Sequence, residues 1–307
     1  MAVLKRTHPA RRKILGAVLL AGLAGCGGQP PQKEPEAPAA PLTVVAEPAV
    51  VEIVRAAAAD FTRLYPGQGV RVESAPARGA MQALFGARAE AAVIGRELAD
   101  EERQAARRVG IAVEAQRWAR DGVAIVVHPS NPVDQLALDE IAEVFAGTTT
   151  SWAAMGGADR RIVPVVQDPE SGISQFFVDQ AMAGTGLAGP AVTVASDSLA
   201  VRRVAADPAA IAFVSLPFAD RGVKALRIAR TRGLPYVALD ARSVYEGRYP
   251  LLRFYNVVVR VPGPERVSEF NTFLCAAEGQ RRVLAAGWVP ATAPVRFTSR
   301  TPTLPSH

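Results

Sequence analysis

The chain has 307 residues, with 35 Lys and Arg against 29 Asp and Glu, which gives a formal net charge of +6. Five of the basic residues and none of the acidic ones lie in residues 1–25, so removing that segment lowers the net charge from +6 to +1. The rest of the chain therefore lacks the basic excess that is typical of nucleic-acid-binding proteins, and no nucleic-acid partner is predicted.

Residues 1–25 have the order of a secretory signal peptide. A basic start is followed by an apolar run from Ile14 to Ala24, and small residues come before the expected cleavage point. The apolar run is shorter than the roughly 20 residues that a membrane-spanning helix needs. The basic start consists of Lys5, Arg6, Arg11, Arg12 and Lys13.

The segment Leu23-Ala24-Gly25-Cys26 resembles the lipobox of bacterial lipoproteins. The resemblance implies cleavage before Cys26, a lipid on its thiol, and a periplasmic or cell-envelope protein that is anchored to a membrane. A secretory signal with a chance cysteine is the alternative. Gly27 favours the outer membrane in bacteria that have two membranes. Arg11-Arg12 also resembles a twin-arginine signal, so the export route stays open.

Residues 26–41 are predicted to be a Pro-rich tether, since five prolines lie between Gly27 and Pro41. The chain has two cysteines, so acylation of Cys26 leaves no intrachain disulfide for Cys275. Cys275 follows an apolar helical pattern and is predicted to be a small buried side chain.

From Leu42 the sequence alternates short apolar strands with amphipathic helices. This alternation predicts an α/β fold with largely parallel sheets. In chain order, we predict strand 43–45, helix 50–64, strand 70–72, a helix through 81–85, strands 91–94 and 122–127, helix 138–145, strand 162–166, helix 174–182, strand 192–194, helix 199–206 and strand 211–214.

Three blocks of sequence carry a resemblance to a known family. The first runs from Asp121 to Phe177, and Ala210–Leu216 and Tyr249–Tyr255 follow in the same order. Together they resemble the periplasmic phosphate-binding proteins of phosphate ABC importers. The resemblance covers most of the mature chain, and the order and spacing of the blocks make it specific.

The resemblance implies a two-lobed periplasmic-binding-protein fold (type II) with two hinge strands, near Gly122–His128 and Arg253–Val259. Lobe one would comprise residues 42–121 and 253–300, and lobe two residues 122–252. A small oxyanion, phosphate in the relatives, would bind in the cleft between the lobes, and the lobes would close around it. The implied partner is an ABC transporter permease.

Anion binding in such a cleft is expected at helix N-termini, where free backbone N–H groups favour negative charge and small residues allow a close approach. Arg78 or Arg96 is the candidate for a positive charge. The candidate binding residues are Ala46 and Glu47 before the first helix, Arg78 and Gly79 before the second, Gly95 and Arg96 after a strand, Gln167, and Ser171, Gly172 and Ile173 at a helix in lobe two.

Four of these positions depart from the residues usual in phosphate-binding relatives. Ile173 stands in place of a threonine and Gln167 in place of an arginine, while Glu47 stands in a loop that is usually small and hydroxyl-bearing in the relatives. Gly95 stands where a serine is common. The ligand is therefore left open: phosphate or a related oxyanion for an importer, or an altered or lost ligand in a sensor or envelope interaction module.

An enzyme is the third hypothesis, and the sequence speaks against it. The chain has three histidines, of which His8 leaves with the signal peptide and His307 is terminal. A Ser-His-Asp arrangement would have to use His128, and the sequence has no Gly-x-Ser-x-Gly elbow to pair with it. Paired histidines and a second available cysteine are also missing, so no catalytic residue, metal site or cofactor is predicted.

Overall fold

The computed structural model describes residues 40–184, 186–187 and 191–292, which belong to one compact unit. The predicted signal peptide, Cys26 and nearly all of the predicted tether lie outside the described residues. No helix within the described part of the chain is long and apolar enough to span a bilayer.

Strands and helices alternate along the described residues, as the sequence predicts. The strands are β1 (Leu42–Ala46), β2 (Val70–Ser74), β3 (Ala91–Ile94), β4 (Ala112–Val127), β5 (Gln135–Ala137), β6 (Val163–Gln167), β7 (Val192–Val194), β8 (Ala210–Ser215), β9 (Lys224–Ala225), β10 (Arg227–Ala229), β11 (Leu252–Val261) and β12 (Val289–Pro290). The helices are α1 (Val51–Leu64), α2 (Ala77–Phe85), α3 (Asp100–Arg108), α4 (Leu138–Phe145), α5 (Gly172–Ala181), α6 (Asp197–Ala206), α7 (Ala241–Tyr245), α8 (Glu265–Cys275) and α9 (Ala277–Ala285).

The main sheet runs in the order β2-β1-β3-β11-β4-β8-β6-β7. Its outer strands pair in parallel, which agrees with the prediction. The central pairs β3–β11, β11–β4 and β4–β8 are antiparallel, so the expectation of largely parallel pairing fails there. The reason is that β4 and β11 connect the two halves of the sheet in opposite directions.

Strand β4 belongs to both halves of the sheet. Its first part, Ala112–Gly122, pairs with β11, and Val123–Val127 pairs with β8. The sequence predicts only Gly122–Val127, because that half is continuously apolar whereas the first half is largely polar and exposed. The helix α3 is not predicted for a similar reason, since only Ala106 of its nine residues is buried.

Each half of the sheet packs its own aromatic core. Phe61 of α1 lies edge-on to Phe270 and Phe273 of α8, with ring centroids 5.2 and 5.4 Å apart. In the other half, Phe177 of α5 stacks on Phe213 of β8 at 4.2 Å. We call these halves lobe one and lobe two. Their exact boundaries at residues 121/122 and 252/253 stay predictions.

Two local expectations need correction. Helix α2 begins at Ala77, so Arg78 and Gly79 lie inside its first turn and do not precede it. The sequence signal is weak there because Pro76 takes the N-cap position without a side-chain cap. Cys275 is half-buried at the end of α8 and packs against the core of lobe one, and burial raises the pKa of its thiol to about 11.

Candidate functional site

The candidate site lies where strand ends from both lobes meet. Glu47 follows β1 and Gly95 follows β3 in lobe one, while Gly172 begins α5 shortly after β6 in lobe two. In open α/β sheets, ligands bind outside the carboxyl ends of the strands, because loops and helix N-termini gather at that edge. These three predicted site residues are brought together.

Glu47 occupies the point between the two glycines. Glu47 is only 3% exposed, and its Oε1 accepts a hydrogen bond from the Gly95 N–H at 2.7 Å. The N–H of Gly172, at the start of α5, also donates to this carboxylate. One carboxylate from lobe one therefore receives backbone donors from both lobes.

Both glycines are needed because other groups approach their backbone closely. A Cβ on Gly172 would overlap the Glu47 carboxylate, whose Cδ lies 2.8 Å from the ideal Cβ position. A Cβ on Gly95 would lie 2.7 Å from Nη1 of Arg253 and 2.8 Å from the ring of Tyr255.

Arg253 in β11 lies behind this point and is fully buried. Its Nε donates to Asp121 Oδ2 at 2.8 Å, and the two side chains are 1% and 0% exposed. Its Nη1 donates to the Gly95 carbonyl at 3.1 Å, and its Nη2 to Ser215 Oγ at 3.1 Å and to the Tyr255 hydroxyl at 2.7 Å. Arg253 thus ties β4, the Gly95 loop and the end of β8 together.

A second buried carboxylate network adjoins the first one in lobe two. Asp197, at the start of α6, accepts from the Ser215 N–H at 2.8 Å and from Gln167 Nε2 at 3.0 Å. The Leu216 N–H donates to Asp121 Oδ1 at 3.0 Å. Gln167 is therefore buried and engaged with Asp197.

The site contains more buried acidic side chains than buried basic ones. Burial raises the pKa of Glu47, of Asp197 and of Asp121, the last to about 6, while the nearby Arg253 opposes each shift. Among the residues that the structure describes, Arg253 is the one buried base against these three buried carboxylates. The site holds no surplus positive charge.

The two arginines predicted to supply charge are engaged with other partners. Arg78 pairs with Glu170 at 3.2 Å across the lobes, and the two side chains are 62% and 55% exposed. Arg96 forms a bidentate pair with Glu102, with N–O distances of 2.8 and 2.7 Å. Arg96 is still close enough to lower the pKa of Glu47.

The remaining predicted residues shape the loops of the site. The Ser171 Oγ caps α5 by accepting from the Ser174 N–H at 3.3 Å, and it donates to the Asp168 carbonyl at 2.7 Å. Ile173 is buried in the core of lobe two, and Ala46 ends β1 without exposed surface. Gly79 lies in the first turn of α2.

Two cavities border this region. One of about 380 Å³ is lined by Glu47, Gln167, Ser171, Arg253 and Trp288 among others. A larger cavity of about 990 Å³ lies on the Arg96 side, with residues of both lobes in its walls. The Glu47 contact therefore closes one point of the cleft and leaves space on either side of it.

Sequence reasoning missed the residues of the buried network, Arg253 and Asp121 above all. It used Arg253 as the start of a hinge strand and Asp121 as the end of lobe one. A usable signal was present, because Arg and Asp are almost never buried unless they are paired. Since Asp121 directly precedes one predicted hinge strand and Arg253 begins the other, a buried ion pair between them could have been predicted.

His128 is part of a local turn, with its Nδ1 2.7 Å from Ser130 Oγ and accepting from the Ser130 N–H at 3.1 Å. Within residues 40–184, 186–187 and 191–292, no group of three or more His, Cys, Asp or Glu residues is placed to hold a metal ion.

The two-lobed α/β fold, with donors from both lobes facing one point, is the architecture of a solute-binding protein. A family model described as a PBP superfamily domain matches residues 31–278, so the chain belongs to that superfamily. Its relatives within that superfamily include periplasmic phosphate-binding proteins, which is the resemblance that the sequence predicts.

Individual relatives agree with this assignment. The chain is 29% identical over 175 residues to the phosphate-binding protein PstS of Bacillus subtilis, a match that spans 56% of this chain and 55% of that protein. It is 23% identical over 271 residues to PstS of Pseudomonas aeruginosa, covering 83% and 84%. A substrate-binding protein from Clostridium perfringens, solved with bound phosphate, has a TM-score of 0.72 at 21% identity, covering 82% and 100%.

Proposed function

We propose that this chain is an extracytoplasmic receptor whose inter-lobe cleft is an anion site, and that it serves an ABC importer from a membrane to which Cys26 anchors it. The observation that carries the proposal is the convergence of the Gly95 and Gly172 N–H groups, from opposite lobes, on one point. An acceptor-only oxygen is the group that two such donors select.

The first candidate occupant is phosphate or a related small oxyanion. It is supported by the relatives, which are named as phosphate-binding proteins. A free oxyanion needs the Glu47 side chain to leave the point between the glycines, because an added atom at Gly172 already overlaps its carboxylate.

The second candidate is a binding-fold protein with an altered or lost ligand that acts as a sensor or envelope interaction module. It is favoured by the position of Glu47, whose carboxylate accepts the donors that an oxyanion would use. Gln167 and Ile173 favour it as well, since both are buried in contacts within lobe two.

Calorimetry on the full chain tests the anion site. Phosphate, sulfate, molybdate, phosphonates and small carboxylates are titrated into the wild type and into Gly172→Asp, which places a second carboxylate at the start of α5. Binding by the wild type that Gly172→Asp abolishes supports the first candidate. A wild type that binds none of these anions supports the second.

Intact-mass analysis tests the lipid anchor. The expected mature N-terminus is Cys26 carrying a lipid, and Cys26→Ser is expected to release the protein from the membrane fraction. An unmodified N-terminus at another residue would contradict the anchor and leave the binding site unaffected.

A further inference from the structure

We propose that the Glu47 carboxylate is a built-in ligand of the cleft, which takes the place of a free oxyanion and holds the two lobes together. The inference rests on the proposed function in one respect, that the point between Gly95 and Gly172 is an anion site. It adds the identity of the occupant, which is a carboxylate that the chain itself supplies.

The contacts of Glu47 are those of a bound anion. Its Oε1 lies 2.7 Å from the Gly95 nitrogen in lobe one, and the carboxylate also accepts from Gly172 at the start of α5 in lobe two. The guanidinium of Arg253 is the largest favourable charge acting on it. A helix N-terminus with small residues favours any compact anion, and a carboxylate offers the same acceptor oxygens as phosphate does.

Glu47 does not have the role of an ordinary helix cap. The cap of α5 is Ser171, whose hydroxyl accepts from Ser174, and Glu47 comes from the loop after β1 in the other lobe. The carboxylate therefore joins two lobes that a bound solute would otherwise join. This is the position in which a tethered anion stabilises the closed arrangement without any free ligand.

A second anion does not fit beside Glu47. The carboxylate lies so close to Gly172 that even a Cβ has no room there. Three buried carboxylates, Glu47, Asp121 and Asp197, already share the Arg253 guanidinium, so a further negative charge would be repelled. Removal of Glu47 relieves both constraints, and the adjoining cavity of about 380 Å³ gives a path to the vacated point.

Replacement of Glu47 by a small residue tests the proposal directly. We expect Glu47→Ser in the full chain to bind inorganic phosphate at least about a hundredfold more tightly than the wild type by calorimetry. Acetate, as a free carboxylate, is expected to bind to the same variant and to compete with phosphate. Glu265→Ser removes the same charge from an exposed position on α8, away from the cavity, and is the matched control, expected to behave as the wild type does.

Hydrogen exchange measures the contact of the Glu47 carboxylate with the amides of Gly95 and Gly172. In the wild type the amides of Gly95 and Gly172 are expected to be protected without any added anion. In Glu47→Ser both lose protection, and phosphate or acetate restores it. Glu47→Gln keeps the side chain's size and an acceptor oxygen, so it is expected to retain most of the protection and to bind no phosphate.

Failure of this proposal is distinguishable from failure of the proposed function. A wild type that binds phosphate as tightly as Glu47→Ser overturns the built-in ligand and leaves the anion receptor intact. Lost protection that no anion restores makes Glu47 a structural contact only and overturns the proposal. If neither the wild type nor Glu47→Ser binds any tested anion, the anion site itself is also refuted.

Discussion

Two ion pairs near the cleft show how differently one type of contact can act in one protein. Arg253–Asp121 lies within the hinge strands and is 1% and 0% exposed, whereas Arg78–Glu170 links the lobes at the surface and is 62% and 55% exposed. Desolvation makes the buried pair costly to form and far more costly to break, while water and salt screen the exposed pair. The buried pair therefore organises the site, although sequence reasoning selects Arg78 or Arg96 as the source of positive charge.

The largest expected effect comes from breaking the buried pair. Arg253→Met leaves Asp121 buried without its cation, and we expect it to lower the free energy of unfolding by about 3–5 kcal/mol. Urea denaturation followed by circular dichroism measures this effect. Replacing both partners, as in Arg253→Met with Asp121→Leu, is expected to cost much less than Arg253→Met alone. A single variant that is as stable as Arg78→Met would refute the contrast between the two pairs.

A smaller effect is expected from filling the space at Gly172. Gly172→Ala places a Cβ against the Glu47 carboxylate and should destabilise the protein by about 1–3 kcal/mol through overpacking. Gly79→Ala is the matched control: its Cβ meets only the side chain of Ala75 at 3.3 Å and that of Pro76 at 3.9 Å, in the first turn of α2. There alanine should be neutral or stabilise by about 0.5–1 kcal/mol. Thermal melting of both variants, and of Gly172→Ala combined with Glu47→Ser, checks whether the clash is with Glu47.

The buried pair also predicts a pH dependence of stability. Burial raises the pKa of Asp121 in the folded protein from its ordinary value to about 6, so over this interval the folded state holds a proton that the unfolded state has released. Stability is present at low pH and is lost as the pH rises through the folded value. Between pH 5 and 7 the loss from Asp121 is about 1.4 kcal/mol, and Glu47 and Asp197 act in the same direction.

Urea unfolding at pH 5, 6 and 7 measures this slope, and Asp121→Asn should flatten it. The carboxylates whose pKa is lowered, such as Asp60 and Glu246, contribute stability that is lost as the pH falls through their lowered pKa values, so they do not mask the slope between pH 5 and 7. Stability that rises from pH 5 to 7 would show that the buried carboxylates are ionised without cost.

The smallest effect is expected at the surface. A double-mutant cycle with Arg78→Met and Glu170→Gln should give a coupling energy of about 0.2–1 kcal/mol, because both side chains are more than half exposed. The coupling should fall further at 1 M salt, where the Debye length is about 3 Å. A salt-independent coupling above this range would mean that the pair is part of the lobe closure.

Much of the fold follows from local patterns in the chain. The helices α1, α4, α5 and α6 and the strands β1, β3, β6, β7 and β8 lie within a few residues of their predicted positions, since each has a clear apolar period. The polar first half of β4 and the highly charged α3 have no such period, so pattern reasoning passes over them. The family assignment rests on ordered blocks and is confirmed by the comparisons.

The candidate site was only half predictable, for a physical reason. Sequence reasoning selects Glu47, Gly95 and Gly172 as candidate site residues. For Glu47, however, it suggests only that the carboxylate repels a bound anion. Only the tertiary structure decides that this carboxylate receives donors from both lobes. The local sequence gives the residues of each loop. The distance between two loops depends on the tertiary structure, which the local sequence does not contain.

The sequence alone therefore determined the α/β alternation and the family, and it predicts an export signal, a lipidation site and the loops that contain the site. The tertiary structure decided which arginine matters, where the three buried carboxylates meet, and what occupies the point between the glycines. Apolar periodicity and motif order can be recognised directly in the amino-acid sequence. Burial, ion pairing and pKa shifts depend on neighbours that are far apart in the chain, so they exist only once β4 and β11 have joined the two lobes.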